Sequence, residues 1–188
     1  MGEVIVGATM SLDGFITDRN GDLGPLYPDM DAMRDAEDLQ ESIRNTGAVV
    51  MGRRAYDLAD PVGFADYEYQ VPIFVLTHRV PKDPLPGENE RLRLRFATDG
   101  IESAIGQAKA AAGDRDVTVV GGASTAQQCM RAGLADRIDM YIAPLVLGEG
   151  LRFFEQGGPD PFRLETISAQ QVRWSMPGVT LVRYRPVA

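Results

Sequence analysis

Residues 117–133, VTVVGGASTAQQCMRAG, place a strand, a glycine pair and a helix in direct succession. Residues 117–120 are apolar and rich in β-branched side chains, which predicts a buried strand. Gly121 and Gly122 have no Cβ, so a ligand can approach the backbone closely at this point. Free backbone N–H groups and the positive end of a helix dipole attract anions. The stretch therefore predicts an anion site, of the kind that holds a cofactor's pyrophosphate in α/β proteins.

The helix that follows the glycine pair has its own start and stop signals. Ser124 and Gln127 have the spacing of a capping box, and Gly133 is placed to end the helix. The motif is not the longer dinucleotide fingerprint G-x-G-x-x-G, so an ordinary tight turn between strand and helix is the alternative interpretation.

Composition limits the class of protein. The 188 residues fit one domain, residues 1–188, and the hydrophobic fraction of 44% is ordinary for a globular chain. The net charge of −8 argues against a nucleic acid or an acidic membrane surface as partner. We expect a small-molecule ligand instead.

Two residue counts bear on compartment and metals. Cys129 is the only cysteine, which excludes an intrachain disulfide and fits a reducing cytoplasm. With a single histidine as well, we expect no metal site. We expect no signal peptide at the start of the chain, and no apolar run has the length of a membrane span.

Strand and helix patterns alternate along the chain as β-α-β-α-β-β-α-β-α-β, followed by a hairpin. Residues 29–45 predict one helix that ends at Gly47, and Asp99 with Glu102 forms a second capping box. The dipeptide at residues 177–178, Pro-Gly, predicts a type II turn in the hairpin. This order predicts an α/β fold of three layers, a mostly parallel central sheet with helices on both faces and an antiparallel C-terminal hairpin.

Ligands of such sheets bind beyond the carboxyl ends of the strands. Four loops occupy that position: residues 8–16, 52–54, 77–79 and 121–125. Two of them carry cations, one carries the glycine pair and one is apolar. Cations and helix N-termini suit phosphates, whereas an apolar loop suits a reactive ring, so the four loops together predict a site for a phosphorylated nucleotide.

The cations are the most informative of these residues. Arg53 and Arg54 are predicted at a helix start, which is unfavourable for positive charge unless an anion is bound there. For His78, an exposed turn residue and a contact with adenosine are equally compatible with the sequence. Neither a serine-nucleophile motif nor a P-loop is present, which excludes the corresponding hydrolases.

Four motifs in order resemble the dihydrofolate reductase superfamily, and most of all the reductase domain of the bifunctional riboflavin-biosynthesis deaminase–reductase. They are MSLDG at residues 10–14, VMGRRAY at 50–56, VVGGAS at 119–124 and IAPLVLG at 142–148. The resemblance covers nearly the whole chain. It implies a dihydrofolate-reductase-like fold, a reductase activity, NADPH as hydride donor and a homodimer.

The resemblance also assigns site residues. It implies that residues 52–54 hold cofactor phosphates, residues 77–79 lie beside the adenosine ribose with its 2′-phosphate, and residues 121–125 hold the diphosphate through a glycine pair that often has an unusual peptide bond. The first loop would cover the nicotinamide. The implied cofactor contacts are Ala8, Gly14, Ile16, Gly52, Arg53, Arg54, Thr77, His78, Arg79, Gly121, Gly122, Ala123, Ser124 and Thr125.

The substrate and the proton donor stay open at the level of sequence. Ala36 stands near the position where dihydrofolate reductases carry a carboxylate, and Val120 stands where the riboflavin-pathway reductases carry a glutamate. We predict Asp31, Asp13 or water as proton source. The expected activity is reduction of a small heterocyclic or carbonyl substrate, similar to 5-amino-6-(5-phosphoribosylamino)uracil reduction. Dihydrofolate reduction and nucleotide binding without turnover are the alternatives.

Overall fold

A computed structural model describes residues 2–59, 61–154 and 162–187. The chain divides into two compact units. The first comprises the residues up to Val6 together with Asn45–Ala135, and the second comprises Gly7–Arg44 together with the residues from Asp136 onward. The prediction that all 188 residues behave as one domain stays a prediction.

The first unit is a parallel α/β layer structure. Its strands, in spatial order, are β4 (Leu94–Ala97), β3 (Ile73–Leu76), β2 (Thr46–Gly52), β5 (Asp116–Val120) and the start of β1 (Val4–Ser11). The pairs β2–β3, β2–β5 and β3–β4 are all parallel. Every residue of β2 is buried, as expected of a central parallel strand that is covered on both faces.

Three helices follow these strands: α3 (Arg53–Asp57), α4 (Ile101–Ala112) and α5 (Ala123–Arg131). The predicted helix end at Gly47 is wrong, because this residue lies within β2. A Cβ there would lie 2.7 Å from the carbonyl oxygen of Ala112 in α4, so the glycine allows close contact between strand and helix.

The second unit contains the rest of β1, with β6 (Arg137–Ala143), β8 (Thr180–Val187) and β7 (Arg163–Gln171) in that order. Strand β8 is antiparallel to both β6 and β7. Gly178 has φ +79°, which suits the third position of a type II turn after Pro177. The predicted α/β fold, with a mostly parallel sheet and an antiparallel C-terminal hairpin, is confirmed.

The helix predicted over residues 29–45 is interrupted. Helix α1 (Met30–Arg34) is capped by Asp29, whose side chain accepts from the Ala32 N–H at 2.9 Å, and two residues separate α1 from α2 (Glu37–Asn45). The side-chain amide of Gln40 donates to the Arg34 carbonyl at 2.8 Å, so this carbonyl at the end of α1 has a hydrogen-bond partner. Ala36 lies at the break and is buried.

Both predicted capping boxes are also wrong. Helix α5 begins after Gly122 and α4 after Gly100, and in neither helix does a side chain cap the first turn. The Ser124 hydroxyl accepts from the side-chain amide of Gln128, and the Asp99 carboxylate accepts from the Ser103 hydroxyl. The N-cap of α5 is Gly122, two residues before Ser124, and the N-cap of α4 is Gly100, one residue after Asp99, so neither predicted side chain occupies the capping position.

Candidate functional site

In the first unit, the tips of β2 and β5 are joined directly. The Gly52 N–H donates to the Gly121 carbonyl at 3.0 Å. A Cβ on Gly52 would lie 2.5 Å from the Thr125 hydroxyl, and one on Gly121 would lie 3.3 Å from the Ala55 Cβ. The absence of side chains at these glycines therefore lets the two strand-to-helix turns meet. The Gly121–Gly122 peptide bond is cis.

The turn at Gly122 faces open space. A Cβ built on this residue would meet no atom within 4 Å, and the residue is the N-cap of α5 without any side-chain cap. The amides of the first turn of α5 have no intrahelical acceptor, because the first N–H groups of a helix never do. An anion at this position would take those hydrogen bonds and interact with the helix dipole.

A cationic rim lies on the neighbouring strand ends. Arg53 donates to the Asp57 carboxylate at 2.7 Å and to the Arg79 carbonyl at 3.4 Å, which links the start of α3 to the loop after β3. Within the described residues, Arg54 and Arg79 form no ion pair through their side chains, and both are exposed, as is His78. Two guanidinium groups are thus left available to an anionic ligand.

The loop after β3 is fixed by its own threonine. The Thr77 hydroxyl donates to the Arg79 carbonyl at 2.9 Å and accepts from the Arg79 N–H at 3.3 Å. Thr77 is buried, whereas the next two residues project to the surface. The structure therefore brings the predicted contacts of residues 52–54, 77–79 and 121–125 together in one unit.

Helix α3 is anchored by aromatic packing. The Tyr56 ring stacks on Phe64 and meets Phe96 edge-on, each at a centroid distance of 5.5 Å. The Tyr56 hydroxyl accepts from the Leu85 N–H at 2.6 Å. Because Tyr56 is fully buried, these contacts hold α3 in one orientation, and with it the two arginines in its first turn.

The remaining predicted contacts lie in the second unit, on β1 and the turn that follows it. Ala8 is a partly exposed residue of β1, Gly14 has φ +87° in the turn, and the Ile16 N–H donates to the Leu151 carbonyl at 2.8 Å. A backbone with positive φ favours glycine at position 14.

Asp13 occupies the centre of this turn. Its carboxylate accepts from the Ser11 hydroxyl at 2.6 Å, the Leu147 N–H at 3.1 Å and the Gly148 N–H at 2.8 Å. These hydrogen bonds, that of Ser11 most of all, lower the pKa of Asp13 to about 2. An ionised carboxylate with its acceptor positions occupied is poorly suited to deliver a proton.

Asp31 is placed very differently. Its side chain is 93% exposed in the first turn of α1, and the partner it has is Arg34 at 3.2 Å. Water thus has full access to this carboxylate. Neither predicted proton donor is enclosed by the protein, and both assignments stay predictions.

Arg152 is a residue that no sequence motif singles out. Its guanidinium lies 4.3 Å from the centroid of the Phe15 ring and donates to the Asp13 carbonyl at 3.2 Å. Phe15 and Arg152 also form an isolated antiparallel bridge. Phe15 and Arg152 are far apart in the chain, so their contact exists only in the folded unit.

Within the described ranges, no cluster of His, Cys, Asp and Glu could hold a metal ion. Among the same residues, no helix combines the length and the apolar character needed to cross a bilayer.

The chain is similar in sequence and in fold to several known proteins. The chain is 25% identical over 155 residues to the uncharacterised protein YyaP of Bacillus subtilis, with 80% of this chain and 79% of that protein covered. Its fold is similar to that of a putative riboflavin biosynthesis protein from Shewanella, with a TM-score of 0.79, 24% identity and 99% of each chain covered.

The fold is also similar to that of Enterococcus faecalis dihydrofolate reductase, a structure solved with NADP(H). The TM-score is 0.65 and the identity 15%, over all of this chain and 98% of that one. The family model described as the RibD C-terminal domain matches residues 3–176. The chain therefore belongs to the RibD C-terminal domain family and has the dihydrofolate-reductase-like fold.

Proposed function

We propose that this protein is an NADPH-dependent reductase of a small heterocyclic or carbonyl substrate, of the riboflavin-pathway type. The observation that carries the proposal is the junction of the β2 and β5 tips in the first unit. Gly52 bonds to Gly121 there, Gly122 borders open space, and the first turn of α5 has no side-chain cap. Membership of the RibD C-terminal domain family supports the reductase class.

The phosphates of the cofactor divide between two groups of residues. The amides at the start of α5, with Ser124 and Thr125, would hold the diphosphate through neutral donors and the helix dipole. Arg54 and Arg79 would hold the 2′-phosphate, because they are exposed cations without an acidic partner among the described residues. Arg53 forms an ion pair with Asp57 and orients the turn between β2 and α3.

The nicotinamide would contact Ala8, Gly14 and Ile16, as the family resemblance implies. When bound, NADPH supplies a hydride from its nicotinamide C4, and the reduced substrate takes up one proton. Water is the proton source that we favour, since Asp13 is held ionised by three hydrogen bonds and Asp31 is open to solvent.

Titration with NADPH tests the proposal. We expect a saturable change in nicotinamide fluorescence at micromolar cofactor, followed by oxidation of NADPH when pterins, ribityl-aminopyrimidines or quinones are added. Absence of binding at high micromolar NADPH would contradict the proposal.

A second candidate is a nucleotide-binding protein without turnover. It is favoured by the positions of the two predicted proton donors, of which one is consumed by main-chain hydrogen bonds and the other is exposed. Tight NADPH binding without oxidation across the same panel, including dihydrofolate, would select this candidate.

We also propose a cytoplasmic homodimer. Cys129 is buried and is the single cysteine of the chain, so no intrachain disulfide can form, which suits a reducing compartment. Strand β7 presents Leu164 and Ile167 to solvent, and a second copy of the chain would cover such apolar side chains. Sedimentation at micromolar concentration should give twice the chain mass of 20.5 kDa, and a species of single-chain mass would remove the dimer.

A further inference from the structure

In the second unit, residues 11–17 and 145–153 form what we call the loop pair. Main-chain hydrogen bonds join them at three places: Leu12 N–H to the Leu145 carbonyl, Ile16 N–H to the Leu151 carbonyl, and Phe153 N–H to the Gly14 carbonyl, at 2.8–2.9 Å. The two segments are more than 120 residues apart in the chain, so these bonds exist only in the folded unit.

Asp13 is the side chain that completes the loop pair. It accepts two N–H groups, those of Leu147 and Gly148, which no main-chain acceptor in the described residues takes. Ser11 donates to the same carboxylate and accepts from the Phe15 N–H at 3.0 Å, so the turn is braced from inside. A carboxylate that accepts several N–H and O–H groups forms stronger hydrogen bonds than a neutral acceptor would.

The tip of the loop pair is apolar and exposed. Leu12 and Val146 are 69% and 68% exposed, although they flank the hydrogen-bonded Leu145 and Asp13. A rigid turn that holds two aliphatic side chains in water provides a preformed apolar contact for a ligand ring. The same segment contains Gly14 and Ile16, two of the proposed nicotinamide contacts.

A role for Asp13 as proton donor fits the geometry less well. Its pKa is lowered to about 2 by the hydrogen bonds from Ser11, Gly148 and Leu147, so the group carries no proton near neutral pH. The carboxylate also points its oxygens at main-chain donors of its own unit.

We propose that Asp13 is a positioning residue that holds the loop pair in the conformation required by the nicotinamide half of the cofactor. This inference rests on the proposed function, because it assigns the loop pair to the nicotinamide. It adds that Asp13 affects the affinity for the nicotinamide half of the cofactor and does not affect the affinity for the adenosine half.

Two ligands separate these halves. Adenosine 2′,5′-bisphosphate carries the adenosine and the 2′-phosphate but no nicotinamide, whereas NADPH carries both. The variants are Asp13→Ala, which removes the acceptor, and Asp13→Asn, which keeps one acceptor oxygen. Glu149→Gln is the matched control, because it removes an exposed carboxylate of the same loop whose ion partner is Arg19 at 3.6 Å.

We expect Asp13→Ala to weaken NADPH binding about tenfold and Asp13→Asn about threefold, since a mobile loop is competent to bind for only part of the time. Both variants should bind adenosine 2′,5′-bisphosphate like the wild type, and Glu149→Gln should bind both ligands like the wild type. Unchanged NADPH affinity in Asp13→Ala, or equal losses for both ligands, would overturn the proposal.

Amide hydrogen exchange gives a readout that needs no cofactor. In Asp13→Ala, the amides of Leu147 and Gly148 should exchange faster, followed by those of Leu12 and Ile16 as the loop pair separates. Unchanged exchange at all four amides would overturn the positioning role. If the wild type binds neither ligand, the proposed function fails, while the exchange rates still decide whether Asp13 holds the loop pair.

Discussion

The strand tips of the first unit and the loop pair of the second differ in how far their polar groups are hydrogen-bonded within the protein. At the strand tips, the first turn of α5 is uncapped and Arg54 and Arg79 lack acidic partners among the described residues. In the loop pair, Asp13 closes the turn by accepting three hydrogen bonds. An open set of donors suits a ligand that supplies the acceptors, whereas a closed set serves to hold a surface in place.

The largest effect should come from the open cations. Replacing Arg54 and Arg79 by Ala together should weaken NADPH about 50-fold, or about 2.3 kcal/mol, because two charge-assisted hydrogen bonds to the 2′-phosphate are lost. NADH has no 2′-phosphate and should change less than about twofold. Isothermal titration of both cofactors measures the ratio.

Arg53→Ala is the control for this pair. We expect a smaller loss than in the double variant, because the Arg53 guanidinium already has Asp57 at 2.7 Å. Equal weakening of NADPH and NADH in the double variant would show that the two cations do not read the 2′-phosphate.

The two glycines at the strand tips should respond differently to a methyl group. Gly52→Ala should cost about 1–3 kcal/mol of unfolding free energy, because the added Cβ would lie 2.5 Å from the buried Thr125 hydroxyl. Gly122→Ala meets no protein atom within 4 Å, so it should change the stability by less than about 0.5 kcal/mol.

The same Gly122→Ala variant should nevertheless lose about tenfold in NADPH affinity, since the methyl group occupies space that we assign to the diphosphate. Urea unfolding and cofactor titration distinguish the two losses. Wild-type affinity in Gly122→Ala would mean that the open space is not the diphosphate site.

The smallest effect concerns pH and the closed region. The pKa of Asp13 is lowered from 3.8 to about 2 in the folded chain, so its ionised form stabilises the fold above about pH 3.8, and this contribution is lost as the pH falls through about 2. The difference in unfolding free energy between the wild type and Asp13→Asn should therefore stay constant from about pH 7 to about pH 5.

Below about pH 3.8 the same difference should shrink. Urea unfolding at several pH values, with Glu149→Gln as the exposed-carboxylate control, provides the measurement. A difference that grows on acidification would contradict the assigned direction of the shift.

Local sequence patterns were sufficient to predict the elements whose residue types are typical of a strand, a helix start or a turn. The apolar run before Gly121 predicted β5, the stretch before Gly52 predicted β2, and Arg53 lies at a helix start as the sequence implied. The Pro-Gly turn placed the final hairpin. These features depend on side-chain size, β-branching and backbone freedom within a few residues, which a linear sequence displays directly.

The two predicted capping boxes were wrong because a cap depends on the residue at which the helix begins. Ser124 lies inside the first turn of α5, since Gly122 is the N-cap, and its hydroxyl accepts from Gln128 instead. A shift of two residues is enough to move a capping side chain away from the N–H groups that it would satisfy. Helix boundaries of this kind are set by packing at the strand tip.

The sequence by itself determined the α/β order of the elements, the glycine pair and the cations that follow parallel strands. The tertiary structure alone decided that Gly52 bonds to Gly121, that Arg54 and Arg79 stay unpaired within the described residues, and that Asp13 accepts from Leu147 and Gly148. The physical reason is distance along the chain: a hydrogen bond between residues that are far apart in sequence depends on the path of the folded backbone, which no local pattern encodes.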